Sequence, residues 1–240
     1  MRLRLTIAYD GAGFRGWQSQ TGGNTVQDHL EAAFATLCGS RIPVHGAGRT
    51  DAGVHALAQS AHVDVERTLD WLPALNAHLP PQIRVLRCAP AAPDFHARFS
   101  AKGKIYTYTI WSGPVLSPFD VGRAWHLAGP LDLEAMRAAA RLLEGTHNFQ
   151  AFAANRGKPQ HDTVRTIAGI AVAKRGPAIT LRFHGSGFLY KMVRLMTGAL
   201  VRVGQGRAPV AGIADYLAGT AGKCSFAAPA EGLCLARVIY

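Results

Sequence analysis

The chain has 240 residues, of which 48% are hydrophobic, so it can bury a core as one large domain or two smaller ones. This composition excludes a disordered chain and a small disulfide-stabilised protein. The 26 lysines and arginines outnumber the 15 aspartates and glutamates, and the net charge of +11 favours a polyanionic partner. No apolar run approaches the ~20 residues of a membrane span, and the four cysteines form no C-x-x-C pair. We therefore expect a soluble cytoplasmic protein with reduced thiols and no membrane association.

The first ninety residues predict an alternation of strands and helices. Alternating apolar residues predict a strand at Leu3–Tyr9, and the glycine-rich segment Asp10–Asn24 follows it. Thr25, with Asp28 three residues later, is typical of a capping box and predicts a helix that Gly39 ends. Beyond it we predict extended segments at Ile42–His45, Val54–Val65 and Ile83–Leu86, a loop at Gly46–Gly53 and a helix at Leu69–Leu79.

The second part of the chain repeats this rhythm. Helices are predicted at Asp132–Leu143, ended by Gly145, and at Phe188–Val203. The predicted strands are Ile105–Trp111, Val164–Val172, Ala178–Phe183 and Leu233–Ile239. The pattern predicts an α+β protein of two β-α-β-β-α-β-like halves with mainly antiparallel sheets. Pro90–Pro93 is the predicted boundary, which gives halves of residues 1–93 and 94–240.

A G-x-G-x-x-G pattern occupies Gly11–Gly16, directly after the first strand. A dinucleotide-binding fingerprint opens a helix at once, whereas here the helix waits until Thr25. We interpret the segment as a flexible loop that carries Arg15 and Trp17 toward a substrate. Glycines that only permit tight turns are an equally good explanation.

Other catalytic chemistries find little support in the sequence. His45, Asp51, His55 and His62 have ligand-type side chains, but their spacing matches no metal-binding pattern. Neither a G-x-S-x-G elbow nor a cysteine in a nucleophile-like loop is present. We therefore expect no metal site and no serine or cysteine nucleophile.

The loop at Gly46–Gly53 presents the carboxylate of Asp51 beside the guanidinium of Arg49 on a glycine-rich backbone. An ionised aspartate serves as a nucleophile or a base, and an adjacent arginine would lower its pKa. An aspartate that pairs with Arg49 only to fix the loop fits these residues equally well. The residues alone leave both explanations open.

The stretch Gly48–Ala56, G-R-T-D-A-G-V-H-A, resembles the catalytic loop of the tRNA pseudouridine synthase A family. Similar motifs extend along nearly the whole chain. They are Tyr9-Asp10-Gly11, Gly16-Trp17-Gln18, Val26-Gln27, Phe95–Ser100, Lys104, Tyr106, Tyr108, Phe149, Phe152, Thr163, Arg165, Phe188, Met192-Val193-Arg194, Gly198 and Glu231-Gly232-Leu233. The resemblance implies the pseudouridine synthase fold, with two pseudo-equivalent α+β halves and a basic cleft at the centre.

The resemblance also implies the reaction, which is isomerisation of uridine to pseudouridine at positions 38, 39 and 40 in the anticodon stem-loop of tRNA. It assigns the nucleophile to Asp51 and requires no metal or organic cofactor. Both proposed routes, attack on the ribose or on the uracil ring, need a carboxylate within reach of an extruded nucleotide.

Three further site residues follow from the resemblance. Tyr106 is expected to stack on the flipped uracil and to be a candidate acceptor of the C5 proton. Arg194 is expected to pair with Asp51. Arg49 is expected to contact the RNA backbone or to enter the space that the base leaves, with a loop-fixing ion pair as the alternative. Tyr108 points to the same face of its strand as Tyr106 and fits a packing role equally well.

Basic and aromatic residues alternate between Phe95 and Tyr108, as in a surface that follows an RNA backbone and stacks bases. The candidate RNA-binding residues are Arg15, His96, Arg98, Lys102, Lys104 and Arg165, with Lys158 and His161 as possible extensions of the patch. Ordinary surface charges fit the same pattern.

Enzymes of this family act as homodimers with tRNA across both subunits, so a homodimer is expected from the resemblance.

Two alternative functions remain open at this point. One is a non-catalytic RNA-binding protein on the same scaffold, against which the joint presence of Asp51, Tyr106 and Arg194 argues. The other is a pseudouridine synthase that acts on another RNA, because the catalytic loop does not identify the substrate.

Overall fold

The computed structural model describes residues 1–154 and 162–240, which divide into two compact units. Unit 1 comprises Met1–Lys102 and Cys234–Tyr240, and unit 2 comprises Gly103–Leu233. The last strand of the chain thus belongs mostly to unit 1, although the residues directly before it in the sequence belong to unit 2. The predicted domain boundary at Pro90–Pro93 stays a prediction.

Unit 1 has mainly antiparallel strands and two α-helices. Its sheet has the order β4, β1, β3, β10, with the short β2 also on β3. β3 runs antiparallel to β1 and β2 and parallel to β10. The elements in chain order are β1 (Arg2–Tyr9), α1 (Val26–Cys38), β2 (His45–Gly46), β3 (His55–Asp64), α2 (Trp71–His78), β4 (Ile83–Pro90) and β10 (Leu233–Ile239).

The beginning and end of α1 follow from local sequence. The Thr25 hydroxyl accepts the Asp28 amide, and the Asp28 carboxylate accepts the Thr25 amide in return, which is the predicted capping box. Gly39 ends the helix in the left-handed conformation, with φ 77°. The apolar face of α1 is buried, and Phe34 packs on Trp71 of α2 with ring centroids 5.5 Å apart.

In unit 2 the described residues form mainly antiparallel strands and three α-helices. Its sheet has the order β5, β9, β8, β7, and the short β6 pairs with β5 in parallel. The elements are β5 (Gly103–Trp111), β6 (Trp125–His126), α3 (Leu133–Leu142), β7 (Gly145–Asn148), β8 (Val164–Arg175), β9 (Ala178–Gly185), α4 (Met192–Gly204) and α5 (Gly212–Ala218). The prediction of an α+β protein with mainly antiparallel sheets is confirmed.

Several predicted boundaries are wrong for local reasons. α4 begins at Met192 and not at Phe188, because Lys191 adopts a left-handed φ of 58° that a right-handed helix cannot continue through. The boundaries of the predicted helix Asp132–Leu143, in contrast, are confirmed, since α3 covers Leu133–Leu142 with Asp132 and Leu143 as its caps. The predicted extended segment Ile42–His45 contributes only His45 to a strand.

Among the helices of residues 1–154 and 162–240, none has both the length and the apolarity that a membrane span requires. The four cysteines are all unpaired thiols.

Candidate active site

Asp51 lies on the loop between β2 and β3, in a tight turn of four residues. The Val54 amide donates to the Asp51 carbonyl at 3.1 Å, and Gly53 at the third position has φ 77°. A positive φ at this position is what a type II turn requires, and glycine adopts it without steric cost. The turn therefore presents the half-exposed Asp51 side chain at the end of a short, fixed loop.

The strand that follows anchors the first half of this loop. The Ala47 amide donates to the Ser60 carbonyl at 2.8 Å, and the Gln59 side chain donates to the Gly48 carbonyl at 2.8 Å. Gln59 is fully buried. Leaving the buried Gln59 amide without a hydrogen-bond partner would cost free energy of folding. These bonds therefore hold in place the backbone that leads to Asp51.

The glycine-rich loop after β1 binds the same turn from the other side. The Trp17 amide donates to the Thr50 carbonyl at 3.1 Å, and the Gly53 amide donates to the Phe14 carbonyl at 3.4 Å. Below them the hydroxyls of Tyr9 and Thr50 are hydrogen-bonded at 2.8 Å in a buried position. The residues on both sides of Asp51 are thus fixed by one neighbouring segment.

Two glycines make this close docking possible. A Cβ atom on Gly11 would lie 2.1 Å from the Val54 carbonyl oxygen, and one on Gly16 would lie 2.5 Å from the Thr50 carbonyl oxygen. The interpretation of this segment as a flexible loop facing a substrate is therefore wrong for Trp17, which is 1% exposed. Arg15 is exposed, as predicted.

His55 and Asp10 connect the two loops at their base. The Nδ1 atom of His55 accepts the Gly11 amide at 3.0 Å and lies 3.2 Å from a carboxylate oxygen of Asp10. His55 is 9% exposed, so its ring serves here to join the start of β3 to the end of β1.

Arg49 is held by an amide relay. Its Nε donates to the Gln18 side chain at 3.0 Å, and Gln18 in turn donates to Gln27 at 2.6 Å. Gln27 then donates to the buried Glu31 of α1 at 2.8 Å. The alternative in which Arg49 pairs with Asp51 to fix the loop stays a prediction. The Arg49 side chain is exposed at the end of this relay.

Tyr106 and Tyr108 lie in β5 of unit 2 on one side of the strand, as the alternation predicts. The Tyr106 ring is 7% exposed and meets Phe188 edge to face, with centroids 5.2 Å apart and an angle of 85°. Tyr108 is fully buried, and its hydroxyl donates to the Pro229 carbonyl at 2.8 Å. Burial raises the pKa of Tyr108 well above its usual range. The structure thus supports the packing role for Tyr108.

Arg194 lies in the first turn of α4, half-buried. Its Nε donates to the Ala228 carbonyl at 2.7 Å, and its own carbonyl accepts the Ala228 amide at 3.0 Å. This reciprocal pair fixes the direction of the guanidinium. The pairing of Arg194 with Asp51 stays a prediction.

The candidate RNA-binding residues fall in both units. Arg15, Arg98 and Lys102 are exposed in unit 1, and His96 is half-exposed beside Arg98. In unit 2 Lys104 is half-exposed in β5, and Arg165 forms an ion pair with Asp162 at 3.1 Å. Lys158 and His161 lie outside the described residues. None of these placements tests RNA binding itself.

The histidines considered as metal ligands have other partners. His45 and His62 stack on one another, with centroids 4.9 Å apart, and His62 accepts the Ala97 amide at 3.1 Å. Burial, followed by the neighbouring imidazoles of His96 and His45, lowers the pKa of His62 to about 4. No group of three or more metal-ligating side chains occurs within residues 1–154 and 162–240.

The sequence analysis missed the side chains that fix the loop. Gln59, Tyr9 and the relay from Gln18 to Glu31 received no role in it. A signal was present for Gln59 and Glu31, because a polar residue among apolar positions of a strand or helix face is buried only with a partner. For Gln18 no such signal exists, since its partners come from two separate segments.

The arrangement presents one carboxylate on a backbone that neighbouring segments hold in place from both sides. A carboxylate so placed can act as a nucleophile without first ordering its own loop.

The chain is similar to proteins of one family. A family model described as tRNA pseudouridine synthase matches residues 5–100 and 139–240, which include Arg49, Asp51 and Arg194 but not Tyr106. A protein of Solidesulfovibrio magneticus named tRNA pseudouridine synthase A is 51% identical, over 100% of this chain and 91% of that protein. Proteins of the same name from Akkermansia muciniphila and Bordetella petrii are 46% and 43% identical, over 100% of this chain and 95% and 91% of their own lengths.

Proposed function

Because the chain belongs to the tRNA pseudouridine synthase family, we propose that it isomerises uridine to pseudouridine at positions 38, 39 and 40 of the anticodon stem-loop. In this proposal Asp51 is the nucleophile. The tRNA substrate is supported by the names of the relatives. The positions are supported by the resemblance of the chain as a whole to the family, because the Gly48–Ala56 loop by itself does not identify the substrate.

Uridine and pseudouridine are isomers, so the reaction neither adds nor removes atoms. The Asp51 carboxylate forms a covalent bond with the nucleotide, at ribose C1′ or at uracil C6, and the bond between C1′ and N1 breaks. The uracil rotates and a bond forms between C1′ and C5. If Asp51 is bonded to C1′, that bond breaks as the bond between C1′ and C5 forms; if it is bonded to C6, that bond breaks when C5 loses its proton. In both routes the C5 proton passes to a base and N1 gains a proton. The target base is out of its stack throughout.

The other residues have supporting roles in the proposal. Tyr106 stacks on the uracil and is the candidate acceptor of the C5 proton. Arg194 pairs with the Asp51 carboxylate and keeps it ionised. Arg49, held at the end of its amide relay, contacts the RNA next to the target nucleotide.

The observation that carries the proposal is the position of Asp51 between two anchored segments. The carbonyl of Thr50 accepts the Trp17 amide, and the Gly53 amide donates to Phe14, so both flanks of the nucleophile are fixed. An aspartate that only closed a turn would not require a neighbouring loop with Gly11 and Gly16 at van der Waals distance.

The test is release of tritium from tRNA labelled at uridine C5, by purified protein with chelator and no added cofactor. We expect release by the wild-type chain and none above background from Asp51→Asn, because the amide cannot act as the nucleophile. Asp70→Asn is the matched control, since Asp70 is an exposed N-cap without a side-chain hydrogen bond. Release by Asp51→Asn at the wild-type rate would overturn the assignment.

Substrate identity needs a separate measurement. Pseudouridine mapping of total RNA from a strain without the gene is expected to show losses at positions 38, 39 and 40 of tRNA. Losses confined to another RNA would contradict the tRNA assignment and leave the chemistry of Asp51 intact.

We propose further that the protein works in the cytoplasm as a homodimer. Four unpaired thiols support a reducing compartment. The dimer is supported by the family resemblance alone. Sedimentation equilibrium is expected to give twice the 25.6 kDa mass of the chain.

A further inference from the structure

Phe99 is an aromatic ring that unit 1 exposes to solvent. It lies in the loop after β4, and 75% of its surface is accessible. It is not isolated, because its ring centroid is 4.3 Å from that of His96. His96 is 4.5 Å from His62, and His62 is 4.9 Å from His45. We call His45, His62, His96 and Phe99 the ring cluster.

Hydrogen bonds to the backbone fix the ring cluster. The Nδ1 atom of His96 accepts the amides of Arg98 and Phe99 at 3.1 and 3.3 Å, and this closes the turn that carries Phe99. The Nδ1 atom of the buried His62 accepts the Ala97 amide at 3.1 Å. Because the backbone turn that carries Phe99 is fixed, the Phe99 ring loses little conformational freedom when a ligand stacks on it.

A guanidinium lies beside the exposed end of the ring cluster. The Arg98 guanidinium lies 5.5 Å from the centre of the Phe99 ring, and Lys102 is exposed in the same segment. The imidazoles of His62 and His96 contribute aromatic surface more than charge. Burial and the neighbouring histidines and arginines lower the pKa of His96, and the pKa of His62 is about 4, so neutral rings dominate at pH 7. The surface therefore combines a neutral ring face with fixed positive charges beside it.

We propose that Phe99, supported by the ring cluster, stacks on an unpaired nucleobase of the tRNA other than the target uridine, while Arg98 binds an adjacent phosphate. This inference rests on the proposed function for the identity of the RNA. An exposed ring beside a guanidinium is the arrangement by which proteins hold unstacked bases. A protein partner fits less well, because a stable interface needs an apolar area far larger than one ring.

The structure also explains why this position, and not the whole basic segment, stacks a base. The sequence places Tyr106 and Tyr108 in the same alternation as Phe99, but their rings are 7% and 0% exposed, against 75% for Phe99. Phe95 is turned toward Tyr240, with centroids 5.0 Å apart. Among the aromatic residues between 95 and 108, only Phe99 offers an open ring.

The experiment measures the Kd of full-length protein for tRNA at several salt concentrations. Phe99→Ala is expected to weaken binding about 5- to 150-fold, the usual effect of losing one stacked base. Phe99→Leu is expected to weaken it as well, and Phe99→Trp to retain it, because the ring face is what matters. The control is Phe119→Ala, which removes an 85% exposed ring from unit 2 and is expected to leave the Kd unchanged.

Salt dependence separates stacking from charge. Phe99→Ala is expected to keep the wild-type slope of log K against log salt, whereas Arg98→Gln is expected to reduce that slope by about one. A Kd for Phe99→Ala within twofold of wild type would overturn the proposal. So would full affinity in Phe99→Leu, or a change from dimer to monomer on sedimentation of Phe99→Ala, which would identify the ring as a subunit contact.

The outcomes keep this inference distinct from the proposed function. Tritium release by the wild-type chain together with an unaffected Phe99→Ala would overturn the stacking inference alone. Weaker RNA binding by Phe99→Ala without any tritium release by the wild type would support stacking and contradict the proposed activity.

Discussion

Gly11→Ala tests whether docking of the glycine-rich loop positions Asp51. The new Cβ would lie 2.1 Å from the Val54 carbonyl oxygen, where real Cβ atoms essentially never come closer than 3.0 Å, so the segments must separate by about 0.9 Å. The Val54 amide donates a hydrogen bond to the Asp51 carbonyl across the turn, so a displacement of Val54 also displaces the nucleophile. A misplacement of about 1 Å costs on the order of 100-fold in rate. Overpacking of this kind also destabilises by about 1–3 kcal/mol.

The assay is the single-turnover rate of tritium release at saturating tRNA, with thermal unfolding alongside. For a chain of this size about 1–3 kcal/mol corresponds to a Tm lower by about 2–12 °C. Gly13→Ala is the matched control, because nothing lies within 4 Å of the Cβ it would add. A wild-type rate in Gly11→Ala, or an equal loss in Gly13→Ala, would refute the reasoning.

Two further predictions concern stability. Because the pKa of His62 is about 4 when folded and 6.5 in an ordinary peptide, the unfolded chain binds a proton first, and stability is expected to fall as pH drops from about 6.5 to about 4. His62→Gln should flatten this decline in urea unfolding, with the exposed His78→Gln as control, and equal slopes in wild type and His62→Gln would contradict the assignment. Thr25→Ala should cost about 1 kcal/mol by removing the cap of α1. Thr25→Ser should retain most of that stability, and an equal loss in Thr25→Ser would show that the hydroxyl cap is not the cause.

Local chemistry in the sequence determined much of the fold. The capping box of Thr25 and Asp28 sets the start of α1 and the left-handed Gly39 sets its end, each through residues within one turn, so no distant contact is needed to predict the ends. The alternation of β1 and β10 is likewise local, and both strands occur where the pattern predicts them. Where the boundary depended on one backbone angle, as at Lys191, the pattern missed it because side-chain periodicity does not report φ.

The sequence also identified the residues of the candidate site, through the motif that contains Asp51 and through the resemblance it carries. Residue types and order specify which chemistry is available. They do not specify which side chains touch, because a contact joins segments whose separation along the chain is arbitrary.

Only the tertiary structure decided how the site is held. The Arg49 side chain donates to Gln18, and Trp17 is buried beneath the loop and does not face a substrate. The same holds for the aromatic residues, since Tyr108 is buried and Phe99 exposed although both belong to one alternating stretch. Burial and hydrogen bonding are properties of packed surfaces from distant segments, and a linear pattern contains no distances between them.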